Sequence, residues 1–419
     1  MTHAHVEAGK NTKNVVVTRE AFRVPGFRVA AAASGMRYSG RPDLALIWCD
    51  DAAAGAGVFT RNRFCAAPVE ICREHLERSR DAVRAVLVNA GIANACTGEE
   101  GLHNGRVTAA RLARDLGIDP TQVLIASTGV IGPQLRLDPL FQALPELIQG
   151  LAEDHWDAVA RAIMTTDTVP KWAATRLELC GRPVTIGGVA KGAGMIAPDM
   201  ATLIALVCTD AAVSAPVLDH YWLHRAADAS FNAITIDGDT STNDTLLALA
   251  GGRAGHPPIA TPDGPDSERF GAALKAVLED LARQIVLDGE GATKLMEIRV
   301  SGARSEADAR RIAFTIAQSP LVKTAFFGED ANWGRVVAAA GRAGVDLDPT
   351  KVSLRFGDVT VFQDGMPLLS PEVERAAGLV LKQREIPVHL ALGEGTARFT
   401  VRTCDFSYDY VKINADYRS

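Results

Sequence analysis

A turn that runs directly into an apolar strand is the feature that most constrains this chain. The turn is rich in glycine and proline and covers residues 191–201, and the apolar run 203–208 follows it. An unbroken apolar run of this length beside turn residues is typical of a buried strand. The pattern therefore predicts that Thr202 lies where a turn enters the core.

The position of Thr202 gives this residue a chemical option. If the peptide bond between Ala201 and Thr202 breaks, Thr202 carries a hydroxyl group and a free α-amine. An α-amine has a reference pKa of about 7.7–8.0, so it can act as a general base near neutral pH. A threonine activated by its own amine is a known nucleophile. On the spacing alone, a threonine that merely begins a strand is the commoner interpretation.

The bulk properties exclude several classes of protein. The chain has 419 residues, of which 47% are apolar, enough to bury a large core in two or three domains. Its net charge is −6, and no basic block indicates binding to nucleic acid. No apolar run approaches the roughly 18 residues of a membrane span. The first residues lack the apolar core of a signal peptide, so the expected location is the cytoplasm.

The candidate metal and cofactor motifs of this sequence do not match the known patterns. The seven cysteines are scattered without a C-x-x-C pair, which argues against a zinc or disulfide framework. His220 and His224 have the spacing of zinc ligands, but Tyr221 stands where a zincin needs glutamate. A partly exposed helix face explains that pair better. No phosphate-binding glycine loop is present, so the sequence predicts neither a metal nor an organic cofactor.

Strand and helix patterns alternate along the chain, which predicts an α/β or α+β protein. Turn residues rich in Gly, Pro and Asp make the stretch 251–267 the most loop-like part. The predicted helices cover 103–116, 215–231, 266–287, 306–316 and 371–382. The predicted strands cover 85–89, 123–126, 203–208, 295–300, 388–392 and 397–402.

Motifs spread along nearly the whole chain resemble segments of one family. The segment 191–203 resembles the autocleavage segment of ornithine acetyltransferases, also called glutamate N-acetyltransferases of arginine biosynthesis. The other matching segments are 26–29, 57–62, 94–98, 127–132, 164–168, 237–245, 288–293, 328–335 and 410–419.

The resemblance implies an architecture and a processing step. It implies a four-layer αββα sandwich related to N-terminal-nucleophile hydrolases. Cleavage between Ala201 and Thr202 would give an α chain, 1–201, and a β chain, 202–419, that begins with the nucleophile. The two chains would stay together, with an α2β2 heterotetramer as the expected assembly.

The resemblance also implies roles for individual residues. Thr202 corresponds to the nucleophile, and Thr128 with Gly129 corresponds to the oxyanion hole. The substrate-binding positions, which include Thr202 itself, are otherwise Thr168, Lys191, Glu290, Asn414 and Ser419. Thr168 is chosen from the three threonines Thr165, Thr166 and Thr168 of one motif.

The implied reaction moves an acetyl group from N-acetylornithine to glutamate through an acetyl-threonine, with acetyl-CoA as a further donor to be tested. The partners are small molecules rather than nucleic acid or a membrane. Two alternatives stay open at this point: an aminopeptidase or amidase on the same self-cleaving fold, and an uncleaved binding module. The chain departs from the family pattern at Ile92, where asparagine is usual, and at Ala193, where serine is common.

Overall fold

The computed structural model describes residues 15–197 and 203–416. Its strands are β1 (Val17–Thr18), β2 (Phe27–Ala32), β3 (Leu44–Phe59), β4 (Val83–Ile92), β5 (Val123–Val130), β6 (Lys171–Leu179), β7 (Arg182–Lys191), β8 (Ile204–Thr209), β9 (Ile234–Thr235), β10 (Thr245–Ala250), β11 (Leu295–Ala303), β12 (Ser353–Phe356), β13 (Val359–Gln363), β14 (Met366–Pro367), β15 (Glu385–Ala391) and β16 (Ala397–Cys404). Its helices are α1 (Ala67–Ser79), α2 (Gly98–Leu116), α3 (Leu137–Gln149), α4 (Trp156–Ala162), α5 (His224–Ala229), α6 (Pro265–Leu287), α7 (Glu306–Ala317), α8 (Pro320–Phe327), α9 (Trp333–Gly341), α10 (Pro371–Leu381) and α11 (Tyr408–Asp416).

The long strand β3 connects two sheet layers. Its first half pairs with β2 and β4, and β5 lies parallel beyond β4. Its second half pairs with β10, from which the order runs through β8, β7 and β6 to β1. The register against β4 shifts between Trp48 and Ala53, where the strand passes from one layer to the other. The two halves of β3 therefore belong to two sheets packed face to face.

Strand β8 lies at the centre of this packing. Its side chains alternate in direction, as the period of a strand requires. Leu206 and Cys208 pack between the two sheets, whereas Ala205 and Val207 pack on the other face against an apolar cluster that contains Leu278 of α6. Both faces of β8 are buried, which confirms the strand predicted from the apolar run.

Helices cover the outer faces of both sheets. Leu112 of α2 and Leu140 of α3 pack on the sheet of β2, β4 and β5, while α5 and α6 pack on the sheet of β6, β7 and β8. The layer order is helix, sheet, sheet, helix. The predicted four-layer α/β sandwich is therefore confirmed for residues up to about the end of α6.

A separate sheet, here called the second sheet because β3 joins the two layers of the sandwich, follows in the sequence. Its order is β14, β13, β12, β15, β11, β16 and β9, and α7, α9 and α10 pack on it around a separate core. The short strand β9, which lies between α5 and β10 in sequence, pairs with β16. This pairing joins the second sheet to the sandwich. The sequence patterns predicted several of its strands but not their assembly into a separate layer.

Most predicted elements are confirmed, with small differences at their ends. Helix α2 ends at Gly117, whose φ of 70° makes it a left-handed cap. The helix predicted over 215–231 is instead a π-helical turn (Val217–Leu223), followed by α5 and a 3-10 turn (Phe231–Ala233). Among the described residues, none of the helices combines the length and the apolar character needed to cross a membrane.

Candidate active site

A cavity of about 230 Å³ opens where the ends of several strands converge. Its lining comes from the ends of β4, β5 and β7 and from the loops before β6 and β10. Glu290, after α6, and Asn414, in α11, complete it. The residues that line it are Ala93, Thr128, Gly129, Val130, Ile131, Thr165, Thr166, Lys191, Gly194, Met195, Ser241, Thr242, Asn243, Glu290 and Asn414. Five of the predicted site residues, Thr128, Gly129, Lys191, Glu290 and Asn414, are therefore brought together.

One wall is formed by Thr128 and Gly129 at the end of β5. Gly129 pairs with Gly91 of β4, and its φ of 131° lies in the region that favours glycine. A Cβ atom at position 129 would stand 2.2 Å from the carbonyl carbon of Gly91. Glycine is thus required at this position, because β4 and β5 approach each other too closely for any side chain.

Buried amides hold this wall in place. The Asn89 amide donates to the Ile92 carbonyl at 2.9 Å, and the Ser127 hydroxyl donates to Asn89 Oδ1 at 2.5 Å. Asn243 donates to the carbonyls of Ala93 and Ser127 at 2.6 and 2.8 Å. Asn243 lies in the loop before β10, so its amide joins the two sheet layers at the cavity.

The departure at Ile92 leaves this network intact. The Ile92 side chain is buried in the apolar cluster beneath α2 and α3, and it is absent from the cavity lining. Its contribution to the network is a backbone carbonyl, which any residue supplies.

A buried chain of charges forms a second wall. Lys191 Nζ donates to Thr165 Oγ1 at 2.8 Å and lies 3.9 Å from Asp167 Oδ2. Asp167 also accepts from Lys171 Nζ at 2.7 Å, and Lys171 reaches Asp288 at 2.5 Å. Lys171 and the side chain of Asp167 have no exposed surface. Buried charges of this kind persist because each has an opposite charge beside it.

The pKa values in this chain follow from burial and pairing. Burial raises the pKa of Asp167, but the charges of Lys191 and Lys171 outweigh it and lower the pKa to about 2. Burial lowers the pKa of Lys191, and the negative charge of Asp167 opposes that effect. Lys191 thus presents a desolvated amine to the cavity.

Thr168 is not among the residues that line this cavity. Its hydroxyl and its backbone N–H both donate to the Asp288 carboxylate, and it lines a neighbouring cavity with Arg283 and Lys412. Thr165 and Thr166 line the cavity of Lys191 instead. The bond to Asp288 at the end of α6 holds Thr168 beside the neighbouring cavity, and its role as a substrate contact stays a prediction.

Glu290 and Asn414 form a pair on the third wall. Asn414 Nδ2 donates to Glu290 Oε2 at 2.8 Å, and the Glu290 backbone N–H donates to the Ala193 carbonyl at 2.8 Å. A Cβ atom at Gly194 would stand 2.4 Å from the Glu290 carboxyl carbon. The missing side chain at position 194 leaves the space that this carboxylate fills. Ala193, the second departure from the family pattern, is buried and contributes this carbonyl.

Carboxylates also fix the backbone on both sides of the predicted break. Asp237 accepts the N–H groups of Met195 and Ile196 at 2.6 and 2.9 Å. On the other side, Asp244 accepts the Leu203 N–H at 3.0 Å. Ala201, Thr202 and Ser419 lie outside the described residues, so their predicted roles stay predictions.

Sequence reasoning assigned no role to Asp167, Asp237, Asn243, Asp244 or Asp288. Each lies inside a segment on which the family resemblance rests, and all but Asn243 are acids placed among Gly, Ser or Thr residues. That composition is the signal that could have found them, because short turns of this kind leave backbone N–H groups for a carboxylate. Within residues 15–197 and 203–416, no three His, Cys, Asp or Glu side chains group as a metal ion would require.

Comparisons with known proteins place the chain in one family. The sequence matches the ArgJ family over residues 28–419. It is 49% identical over 398 residues to the arginine biosynthesis bifunctional protein ArgJ of Methylococcus capsulatus, covering 94% of this chain and 96% of that protein. It is 49% identical to the ArgJ protein of Desulfotalea psychrophila, covering 95% of this chain and 100% of the relative. A crystal structure of the Bacillus halodurans ArgJ protein is 38% identical and covers 51% of this chain and 97% of that one, with a TM-score of 0.47.

The buried ion pairs predict a pH-dependent contribution of Asp167 to stability. Because the pKa of Asp167 is lowered on folding, its contribution is complete above about pH 4 and is lost as the pH falls towards 2. Asp167→Asn should therefore lower the free energy of unfolding by roughly 2 kcal/mol at pH 6, and by much less at pH 2.5. Denaturant titrations of both proteins between these pH values measure the difference. Asp138→Asn, at an exposed acid, serves as the control, and a difference that stays constant with pH would contradict the prediction.

Proposed function

The chain belongs to the ArgJ family, and on that premise we propose that it moves the acetyl group of N-acetylornithine to glutamate through an acetyl ester on Thr202. As a member of this family it is an acetyl-transferring enzyme of arginine biosynthesis. The observation that supports the specific reaction proposed is the convergence at one cavity of Thr128, Gly129, Lys191 and Glu290. Leu203, the residue after Thr202, is anchored by Asp244, which directly follows the lining residue Asn243.

The first step of the proposal creates the nucleophile. Thr202 Oγ attacks the carbonyl carbon of Ala201, and the peptide nitrogen leaves as the α-amine of Thr202. Water then hydrolyses the resulting ester. The products are the chains 1–201 and 202–419, the second of which begins with a hydroxyl group beside a free amine.

The transfer step uses that amine as a general base. The α-amine takes the hydroxyl proton while Thr202 Oγ attacks the acetyl carbonyl of N-acetylornithine. The hydroxyl of Thr128 and the backbone N–H of Gly129 donate to the oxygen that becomes negative. The ammonium returns its proton to the departing amine of ornithine. The α-amine of glutamate then attacks the acetyl ester and breaks its bond to Thr202 Oγ. The proton that this amine loses passes through the Thr202 amine to Oγ, and N-acetylglutamate leaves.

The charged walls of the cavity match the substrates. Both substrates carry an α-carboxylate that Lys191 can pair, and ornithine carries a side-chain ammonium that Glu290 can accept. Asn414 holds the Glu290 carboxylate at 2.8 Å, so it orients the acceptor. Thr168 and Ser419 remain proposed substrate contacts, and Thr165, which is hydrogen-bonded to Lys191, is proposed as a further one.

The sheet supports the proposal that the two chains stay together after cleavage. β7 precedes the break and β8 follows it, and the two strands pair along six residues. β10, also after the break, pairs with β3 from before it. An α2β2 assembly of the cleaved chains is the proposed state, which light scattering of the purified protein would test.

Two assays on one preparation test the activity. Acetylornithine with glutamate should yield ornithine and N-acetylglutamate, whereas acetylornithine alone should release little acetate. Rapid release of acetate without glutamate would instead favour the hydrolase alternative. Because the curated relatives are called bifunctional, we propose acetyl-CoA as a second donor, and acetyl-CoA with glutamate is the matching assay.

The processing step predicts the behaviour of Thr202→Ala. This variant lacks the attacking hydroxyl, so it should stay a single full-length chain on a denaturing gel. Thr202→Ser keeps a hydroxyl and should still yield two chains. Two bands from Thr202→Ala would show that another residue or a protease makes the cut.

The oxyanion role predicts a loss of rate from Thr128→Val. This change keeps the shape of the side chain but removes its donor, so kcat should fall by about 10²–10³-fold. The KM for acetylornithine should change little, because the donor acts on the transition state. Thr360→Val, in β13 of the second sheet, is a matched change away from the cavity. Equal kcat values for the two variants would remove Thr128 from the mechanism.

The packing of Gly194 predicts an effect on substrate binding. In Gly194→Ala the new methyl group displaces the Glu290 carboxylate, which stands at the end of a flexible side chain. The melting temperature should fall little, while kcat/KM for acetylornithine should drop at least about tenfold, or 1.4 kcal/mol. Gly378→Ala is the control, because a Cβ atom there meets nothing within 4 Å in α10. An unchanged kcat/KM in Gly194→Ala would exclude Glu290 as the ammonium acceptor.

A further inference from the structure

Three arginines near the cavity carry charges that no acid offsets. Arg37 and Arg41 lie in the loop 33–43 between β2 and β3, and Arg136 directly precedes α3. In the part of the chain that the structure describes, none of the three forms an ion pair. Arg37 and Arg136 are exposed, and Arg41 is partly exposed. Their positive charges are therefore open to a ligand from solution.

The hydrogen bonds of these arginines do not compensate their charge. Arg41 donates to the Met164 carbonyl at 2.5 Å, and Arg136 donates to the Met36 carbonyl at 2.7 Å. Arg37 has no hydrogen-bond partner among the described side chains. A neutral carbonyl fixes the direction of a guanidinium and leaves its charge in place. Two of the three groups are thus held in position and remain cationic.

Packing brings the three side chains to one surface. A Cβ atom at Gly91 would stand 3.0 Å from Arg37 Cβ and 3.1 Å from Tyr38 Cε2, so both side chains cover Gly91. Arg41 Cζ lies 4.1 Å from the centroid of the Tyr38 ring. Arg136 binds the carbonyl of the residue before Arg37. The three arginines therefore form one group, here called the arginine cluster.

The arginine cluster lies directly beside the cavity. Gly91, beneath Arg37, pairs with Gly129, which lines the cavity. Met164, which Arg41 binds, precedes the lining residue Thr165. None of the three arginines is among the described residues that line the cavity itself. A ligand that contacts both the cluster and the cavity must therefore extend from one to the other.

The chemistry of the cluster fits phosphate groups. A guanidinium presents paired N–H donors that match two phosphate oxygens, and arginine is the usual choice for such groups. A single carboxylate offers one negative charge to three cations, whereas a phosphate-bearing ligand offers several. In acetyl-CoA a long pantetheine arm separates the thioester from the phosphates. Phosphate-binding residues for this donor are expected outside the cavity, on the elements that form its walls.

We propose that the arginine cluster binds the phosphate groups of acetyl-CoA while its thioester reaches into the cavity. The inference rests on the proposed function, in which acetyl-CoA is the second donor. In the transfer, Thr202 Oγ attacks the thioester carbonyl, the C–S bond breaks, and the proton taken up by the Thr202 amine passes to the leaving sulfur. Acetylornithine has no phosphate group and does not use the cluster.

The test measures Arg37→Gln against the wild-type protein with glutamate and three acetyl donors. The donors are acetyl-CoA, acetylornithine and S-acetyl-N-acetylcysteamine, a thioester without phosphates. Loss of a charge-assisted contact should raise KM for acetyl-CoA at least about tenfold. KM for the other two donors should stay within about twofold, since neither contacts the cluster. A denaturing gel checks that both proteins are cleaved to the same extent.

Two further measurements identify the contact as electrostatic. Added salt screens exposed charges, so KM for acetyl-CoA should rise with NaCl in the wild-type protein and rise less in Arg37→Gln. Calorimetry with CoA itself measures binding without any reaction. Its Kd should increase at least about tenfold in Arg37→Gln. Arg37→Lys keeps the charge and should bind CoA more tightly than Arg37→Gln.

Arg398 provides a matched control. It is exposed in β16 of the second sheet and, within the described residues, likewise forms no ion pair. Arg398→Gln removes the same charge far along the chain from the cluster. This variant should keep the wild-type KM for acetyl-CoA and the wild-type Kd for CoA. An equal effect of the two substitutions would show that only the net charge of the protein matters.

Several outcomes would overturn the inference. One is an unchanged KM for acetyl-CoA both in Arg37→Gln and in the double variant Arg37→Gln/Arg136→Gln. Another is an equal rise of KM for all three donors, which indicates a distorted cavity. A wild-type protein that uses acetylornithine but neither uses acetyl-CoA nor binds CoA would overturn the inference alone. A wild-type protein without any acetyl transfer would overturn the proposed function, and calorimetry with CoA would still decide whether the cluster binds phosphates.

Discussion

The pairing of β8 with strands from both sides of the proposed break is the constraint on which the rest of the structure depends. β7 lies antiparallel to β8 with Lys191 opposite Ile204, and β10 lies parallel on the other edge. Both faces of β8 are buried as well. Hydrogen bonds and apolar contacts therefore hold the strand independently of the peptide bond before it. A chain cut at residues 201–202 would keep its two parts interleaved in one sheet.

The same arrangement explains why the site is built from acids. Gly192, Met195 and Leu203 each donate a backbone N–H to a carboxylate, from Asp167, Asp237 and Asp244 respectively. These acids come from three separate parts of the chain. These hydrogen bonds satisfy backbone donors that the turn leaves without a partner, and they fix the backbone on both sides of the segment 198–202. The cost is buried charge, which the fold tolerates where Lys171 and Lys191 offset it.

Local patterns in the sequence predicted the elements better than their assembly. The helix over 266–287 and the strand over 203–208 follow from periodicity, which nearby residues determine. The second sheet depends on the two-residue strand β9 pairing with β16, a contact that no local pattern carries. At the site, the resemblance placed Thr128, Lys191 and Glu290 together. It could not choose among the threonines of residues 165–168, because Asp288, 120 residues from Thr168, decides which of them faces the cavity.

The end of the chain shows how polar contacts replace a core. Helix α11 has no buried residue, and composition alone predicts that such a terminus frays. The helix is held through its polar and aromatic groups instead: Asn414 donates to Glu290, and Tyr410 stacks on Phe406 with ring centroids 4.6 Å apart. Burial raises the pKa of Tyr410, and the acids Asp237 and Glu290 raise it further, so the phenol stays neutral beside them. Because Asn414 of α11 donates to Glu290, the docking of this helix also orients the proposed ammonium acceptor.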